Sequence, residues 1–258
     1  MLSRRQLLQL GLFASGGAAL CSIGCTVSTP APTPCLTASL SPPEPPQNRN
    51  PGLLDTDIDL LQSQTHPLPI VQRVAGESSV LRRRARSVTD EDQEHLELFE
   101  RRMHESLQNT GSGVGLAGPQ IAISARAILV MLGARSESPE VQFFINPRIF
   151  ERSDDITLDY EGCLSIPGLC GLVKRNRRIV VEHGLLGRRV RVEASDFDAR
   201  IFQHEIDHLD GVLYIDRVDG ETHPADRLKE LRQRLREQQP KVACTPNIRG
   251  RYRDEVLL

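Results

Sequence analysis

What this chain lacks narrows it quickly. It has no tryptophan, and aromatic residues fill 4% of its 258 positions. It has no excess of positive charge: the formal net charge is −2, so bulk electrostatics give no reason to bind nucleic acid. No internal repeat is present, which sets solenoids and propellers aside. Its six cysteines do not amount to a disulfide framework. Cys21 and Cys25 fall in the N-terminal segment and Cys35 in a proline-rich stretch, which leaves Cys163, Cys170 and Cys244 scattered through the body. Cys170 and Cys244 read as buried, inert thiols. What remains, 39% hydrophobic and 26% charged residues, suits a soluble globular domain with extra segments.

The first 25 residues are of a different kind. Arg4 and Arg5 precede an uncharged run of apolar and small residues from Leu7 to Gly24. This reads as an export signal. A membrane anchor is the other reading, but the run is barely long enough to span a bilayer and is diluted by glycine and serine. "SRRQLL" resembles a twin-arginine signal, which exports folded proteins. "SIGC" at Ser22–Cys25 resembles a lipoprotein processing site, with Ser22 where leucine is usual. Thr26–Gly52 then carries eight of the chain's 17 prolines and almost nothing that could form a core. The expectation is a disordered or polyproline-like tether. The organisation expected is a signal or anchor at 1–25, a tether at 26–66, a folded domain at 67–240 and a tail at 241–258. The compartment is then periplasmic or membrane-anchored, or cytoplasmic if the true start lies further in.

The folded part is expected to open near Leu68. The basic stretch Ser79–Val88 reads as a solvated loop. Thr89 or Asp90 can cap a helix that Gly111 ends, with Leu96, Phe99, Met103 and Leu107 as its buried stripe. His95 and His104 on it are not four apart and read as surface residues. A glycine-rich turn, "GSGVGLAGPQ", leads into a strand at Ala125–Leu132. "VQFFINPRIF" is another strand, and "RRIVVEHGLLGRRVRVEA" is two short strands around a glycine turn. Ser195 starts a second helix, with Asp198 completing a capping box and Gly211 stopping it. A third helix carries Leu228, Leu231 and Leu235 and ends at Pro240. Strands in the middle with helices on either side predict an α+β fold, not alternating βαβ units.

The chemistry concentrates in "RIFQHEIDHLDG", Arg200–Gly211. Residues four apart on a helix stand one above the other, so His204 and His208 can hold one ion from one rigid element. Phe197 and Ile201 share that face. Glu205 points about 100° away from His204. It can flank the site without ligating and take a proton from metal-bound water. The competing reading is a pair of core histidines beside a surface glutamate. A catalytic site needs three protein ligands and an open position. His223, the only histidine downstream, does not extend the pattern. Upstream, "EGCLSIPG" sets Cys163 in a glycine-bearing turn. A thiolate with two imidazoles suits a borderline metal, although alone Cys163 would read as a small buried hydrophobe.

Three stretches together resemble the peptide deformylase family. They are "GVGLAGPQ" (Gly113–Gln120), "EGCLS" (Glu161–Ser165) and "QHEIDHLDG" (Gln203–Gly211), in the family's order. The resemblance runs from roughly Leu68 to Val218. It implies an α+β fold of short antiparallel or mixed sheets around a central metal-binding helix. It implies that Cys163, His204 and His208 bind the metal and that Glu205 acts as general base and then acid. Gln120 and the Leu164 backbone N–H would form an oxyanion hole, and Gly115 would offer its carbonyl to the substrate. The implied reaction removes the formyl group from N-formylmethionyl peptides and releases formate, through attack by metal-bound water. Gly118 stands where alanine is common and Pro119 at a variable position, and neither replaces a chemical group; Lys174 stands where a proline is common before the matched Arg175, which implies no loss of activity.

Val114, Leu116, Phe197 and Ile201 are candidates for an apolar substrate pocket, with ordinary core as the alternative. Glu161 and Arg175 read equally as supports of the site or as a surface ion pair. The donor set suits iron, zinc or nickel. The resemblance implies one divalent ion, Fe2+, while a thiolate–iron site outside the cytoplasm favours Zn2+ or Ni2+, or loading before export. No nucleic-acid partner is expected. The expectation is a monomer, tethered to a membrane through its N-terminus if the signal is used. Two other functions stay open: an exported metallo-amidase acting on another formamide or short peptide, and a non-catalytic, metal-stabilised binding protein. Gln120 and Glu205 speak against the last, because a structural metal needs neither.

Overall fold

A computed structural model describes residues 52–74, 79–185 and 187–238. The expected signal or anchor, most of the tether and the tail lie outside these residues. Among the described residues four α-helices, α1 (Asp55–Gln62), α2 (Leu96–Asn109), α3 (Asp196–Leu209) and α4 (Leu228–Gln238), accompany nine strands. The strands form three antiparallel sheets of three. β1 (Gly115–Ala117), β2 (Ala127–Leu132) and β3 (Glu140–Ile145) make the first. β4 (Arg148–Arg152), β7 (Arg178–His183) and β8 (Val190–Ser195) make the second. β5 (Ile156–Cys163), β6 (Ile166–Asn176) and β9 (Val218–Pro224) make the third. This is the expected α+β arrangement. No helix among the described residues is long and apolar enough to cross a membrane.

Two apolar clusters meet at β2, which is buried on both faces. Successive side chains of a strand point to opposite faces. Ile128 and Val130 therefore pack with Phe202 and Ile206 of α3, while Ala127 and Leu129 pack with Phe99 and Met103 of α2. α3 buries ten of its 14 residues, so it is a core helix whose polar residues must find partners inside the protein.

Several elements differ from expectation, each for a local reason. The last part of the expected tether is α1, which sinks Leu61 into the α2 cluster. Arg102 of α2 fixes it by donating from Nε to Leu61 O at 2.8 Å and from its terminal nitrogens to the carbonyls of Ser63 and Thr65. The basic stretch is a strap more than a solvated loop. Leu81, Ala85 and Val88 point inwards, and the arginines between them pair with Asp216, Asp57 and Asp210. The first helix opens as a 3-10 turn over Asp90–His95, with the Asp92 carboxylate accepting from Thr89 N–H at 2.7 Å. "VQFFINPRIF" is two strands because Asn146 takes a positive φ of 50° and its side chain bonds the backbone of Val88 at 2.8 Å in both directions. Ser195 sits at the N-cap of α3 without a capping hydrogen bond. Asp198 instead accepts from Gly133 N–H at 3.0 Å.

His183 of β7 is mostly buried and packs edge-on against Phe144 at 4.9 Å, with no hydrogen-bond partner for Nε2 among the described residues. Burial pushes its pKa down to about 4 from 6.5. A lowered imidazole pKa costs nothing above 6.5. As pH falls towards 4, the unfolded chain takes a proton that the folded one refuses, so stability drains away. Between pH 7 and pH 5 this amounts to about 2 kcal/mol. His183→Phe should flatten the pH dependence of urea unfolding by that amount over that interval; an unchanged slope would contradict it.

Candidate metal centre and pocket

Three segments converge on one point. The 3-10 turn after β1 (Gly118–Ile121) delivers Gln120. Ala117 N–H donates to Gln120 Oε1 at 2.9 Å, and an N–H accepts nothing, so the amide's NH2 must face the other way. It reaches Ser165 Oγ at 3.2 Å and Cys163 Sγ at 3.6 Å. The β5–β6 hairpin delivers Cys163, at a register shift after Gly162. Ser165 N–H points at its sulfur from 3.4 Å. α3 delivers His204 and His208, one turn apart, with Glu205 between them.

The donor atoms of Cys163, His204 and His208 lie within 4.8 Å of one another, and Cys163 Sγ is 3.2 Å from His208 Nε2. A thiolate and an imidazole at usual bond lengths from one tetrahedral ion stand roughly 3.5 Å apart, so the set fits a divalent cation. The local field agrees. Burial opposes a charged His204, but its hydrogen bonds to Cys163 and Glu161 outweigh that and raise its pKa well above 6.5. Surroundings that favour a proton there also favour a cation. Burial keeps His208 neutral, as a ligand must be.

Behind the histidines lies a buried charge network. Glu161 accepts from Arg175 Nε and Nη2 at 2.9 Å each, from Arg200 Nη1 at 2.7 Å and from His204 Nδ1 at 2.9 Å. The last bond fixes the tautomer of His204 and leaves Nε2 for a metal. Arg175 continues to Asp207, which Arg217 grips at 2.6 and 2.7 Å. Burial alone would raise the pKa of Glu161; the bonds from His204 and Arg175 hold it well below 4.5. Glu161 and Arg175 are each 4% exposed, so they stand behind the site and are no surface pair.

Glu205 is the opposite case. Burial pushes its pKa up to about 7, and Oε2 has no partner among the described residues. Its carboxylate occupies the space that a side chain on Gly115 would take, since a Cβ there would sit 2.4 Å from Glu205 Oε1.

A pocket of about 330 Å3 opens beside these groups. Val114, Phe197 and Ile201 line it, as do Gly115, Gln120 and Leu164. Leu116, expected there, does not. It pairs in register with Leu129, faces the α2 cluster with it and is fully buried. Sequence reasoning missed Arg200, Ile166, Leu169, Leu228 and Arg232 in the lining. Arg200 lies one turn before His204, a helical spacing that pointed to it. The others come from β6 and α4, and nothing local marks their approach.

A thiolate and two imidazoles beside a buried carboxylate and a fixed amide donor are the equipment of a metal-dependent hydrolase. The profile of the polypeptide deformylase family matches residues 69–223. A peptide deformylase of Halothermothrix orenii is 40% identical over 153 residues, 58% of this chain and 95% of that protein. Peptide deformylase 2 of Gloeobacter violaceus is 42% identical over 122 residues, 47% of this chain; the chain spans 65% of that relative, less than two thirds of its length. The crystal structure of a class I type b peptide deformylase from Acinetobacter baumannii with Met-Ala-Ser bound aligns at a TM-score of 0.52 and 34% identity, over 58% of this chain and 98% of that one. The chain belongs to the polypeptide deformylase family.

Removing the charge of Glu161 should injure both fold and metal binding. Glu161→Gln leaves Arg200 buried without its counter-charge and Arg175 with Asp207 alone, and should destabilise the protein by about 3–5 kcal/mol in urea unfolding at pH 7. Metal affinity measured by competition with a chelator should fall about 10- to 100-fold. Wild-type values for both would refute the central place given to this carboxylate.

Proposed function

We propose that the chain hydrolyses the formamide of N-formylmethionyl peptides to formate and a free amino terminus. The observation that carries this reading is the convergence of Cys163, His204 and His208 with Glu205 and Gln120 on one pocket, in a chain of this family. A divalent ion held by the three ligands supplies the Lewis acidity that makes water a nucleophile near neutral pH. Glu205 takes the proton from the attacking water. The formyl oxygen gains negative charge, and the Gln120 side-chain amide and Leu164 N–H donate to it. Glu205 then returns the proton to the departing amine, which leaves badly without it. Gly115 accepts from the substrate backbone, while Val114, Phe197 and Ile201 surround the first side chain. The Met-Ala-Ser complex of the Acinetobacter relative supports a peptide ligand.

The test is formate release from formyl-Met-Ala-Ser, with acetyl-Met-Ala-Ser as the comparison. Release should be confined to the formyl peptide; comparable cleavage of both would favour a broader amidase. Gln120→Leu should lower kcat by about 100- to 1000-fold. Glu205→Gln should keep its metal and lose more than about 100-fold. Undiminished hydrolysis by Glu205→Gln would overturn the mechanism, and absence of any hydrolysis by the metal-loaded wild type would favour a binding protein.

We further propose that the chain is exported and tethered outside the cytoplasm, acts as a monomer, and carries zinc or nickel, or iron loaded before export. Arg4, Arg5 and the apolar run to Gly24 support export. The presence of every site residue in one chain supports a monomer. Mass spectrometry of the native N-terminus and metal analysis of the native protein test these points; an unprocessed, cytosolic, iron-loaded enzyme would contradict them.

A further inference from the structure

The pocket lies between two strand edges. β1 ends the first sheet and β5 ends the third, so among the described residues each has one side without a neighbouring strand. Gly115 of β1 and Gly162 of β5 both border the pocket. An extended peptide can pair with such edges through its backbone. Groups facing one edge of a strand recur every second residue, so Tyr160 and Gly162 present their N–H and C=O to the same side.

At Tyr160 that side is closed. Its N–H donates to Asp159 Oδ1 at 2.8 Å. Its carbonyl accepts from Arg232 of α4, from Nη2 at 2.6 Å and Nε at 3.2 Å. Backbone pairing along β5 therefore stops at Gly162. The cap also carries charge. Asp159 meets Arg232 at 3.3 Å and Arg135 at 3.1 Å, so two guanidinium groups share one carboxylate and a positive charge is left over. Arg232 lines the pocket; Arg135 covers the ring of Phe197 at 3.8 Å.

The spacing turns this cap into a ruler. Tyr160 is three residues from Cys163, at most roughly 10 Å along the strand given the register shift after Gly162. A peptide whose formyl group sits at the metal centre covers the same span with about three extended residues. Its third residue then reaches the cap, where backbone pairing ends and a guanidinium begins.

Resting on the deformylase reading, we infer that Arg232 is a specificity-determining residue that selects short N-formyl peptides by their C-terminal carboxylate. A chain that continues past the third residue finds no edge to pair with there, and a free carboxylate finds a charged donor. The carboxylate binds at the cap and takes no part in the chemistry.

The experiment compares formate release by the full, metal-loaded chain from formyl-Met-Ala-Ser as free acid and as C-terminal amide. The acid should show kcat/KM about tenfold above the amide, carried by KM, because a charge-assisted bond at a partly exposed site acts on binding alone. The ratio should shrink in high salt. Arg232→Gln should bring it close to one. Asp159→Asn, which removes the competing charge, should raise it. Equal rates for acid and amide in the wild type, or a ratio that survives Arg232→Gln, would overturn this inference alone. No release from either peptide would overturn the deformylase reading and this inference with it.

Discussion

The Glu161 carboxylate is the interaction on which the rest of the structure depends. It sits out of solvent on β5 and accepts from Arg175 of β6 and from Arg200 and His204 of α3. Taking a carboxylate out of water costs several kcal/mol unless its lone pairs are filled. Here four donors fill them. The same bonds fix the position of α3 against the third sheet and the orientation of the His204 ring. A small displacement of that helix would cost charge pairing as well as packing. The candidate metal centre is therefore held by the core of the protein and not by a surface loop.

β2 is buried on both faces, so the first sheet is open only at its outer strands, β1 and β3. β1 is a three-residue strand whose outer edge meets the pocket, opposite the outer edge of β5. Exposed edges invite unwanted pairing. β1 is short, both strands border the pocket, and the eight-residue β5 carries side-chain caps at Tyr160. Gly115 then has two reasons to lack a side chain: the strand passes close to α3, and the Glu205 carboxylate fills the space that remains.

The sequence made the local parts of the site legible and concealed the parts set by register. Two histidines and a glutamate in five residues of one helix need no tertiary information. The cysteine turn and the Gly113–Gln120 stretch became informative only beside them. Leu116 shows the limit. In a strand, one step decides between pocket and core, and only pairing with Leu129 reveals which face it takes. Glu161 and Arg175 could not be told from a surface pair because burial is invisible in one sequence. α1 was hidden by its proline-rich and acidic neighbourhood, since its anchor, Arg102, lies more than forty positions from Leu61. The third sheet was missed because glycine and proline interrupt "EGCLSIPGLCGLV" and blur its alternation.

Two carboxylates beside the same histidines meet opposite fates, and their surroundings decide which. Both are 4% exposed, so desolvation weighs against the charge of each. Glu161 answers with four donors and stays ionised well below its ordinary range. Glu205 has an oxygen without a partner among the described residues, and burial carries it up to about 7. One group is thereby fixed as a permanent anion that orients the His204 ring. The other exchanges a proton at little cost near neutral pH. Separation of two titrating groups by environment is how a site assigns distinct tasks to identical chemistry. In this chain the separation follows from position alone: Glu161 lies within reach of Arg175 and Arg200, while Glu205 faces the glycine of an edge strand.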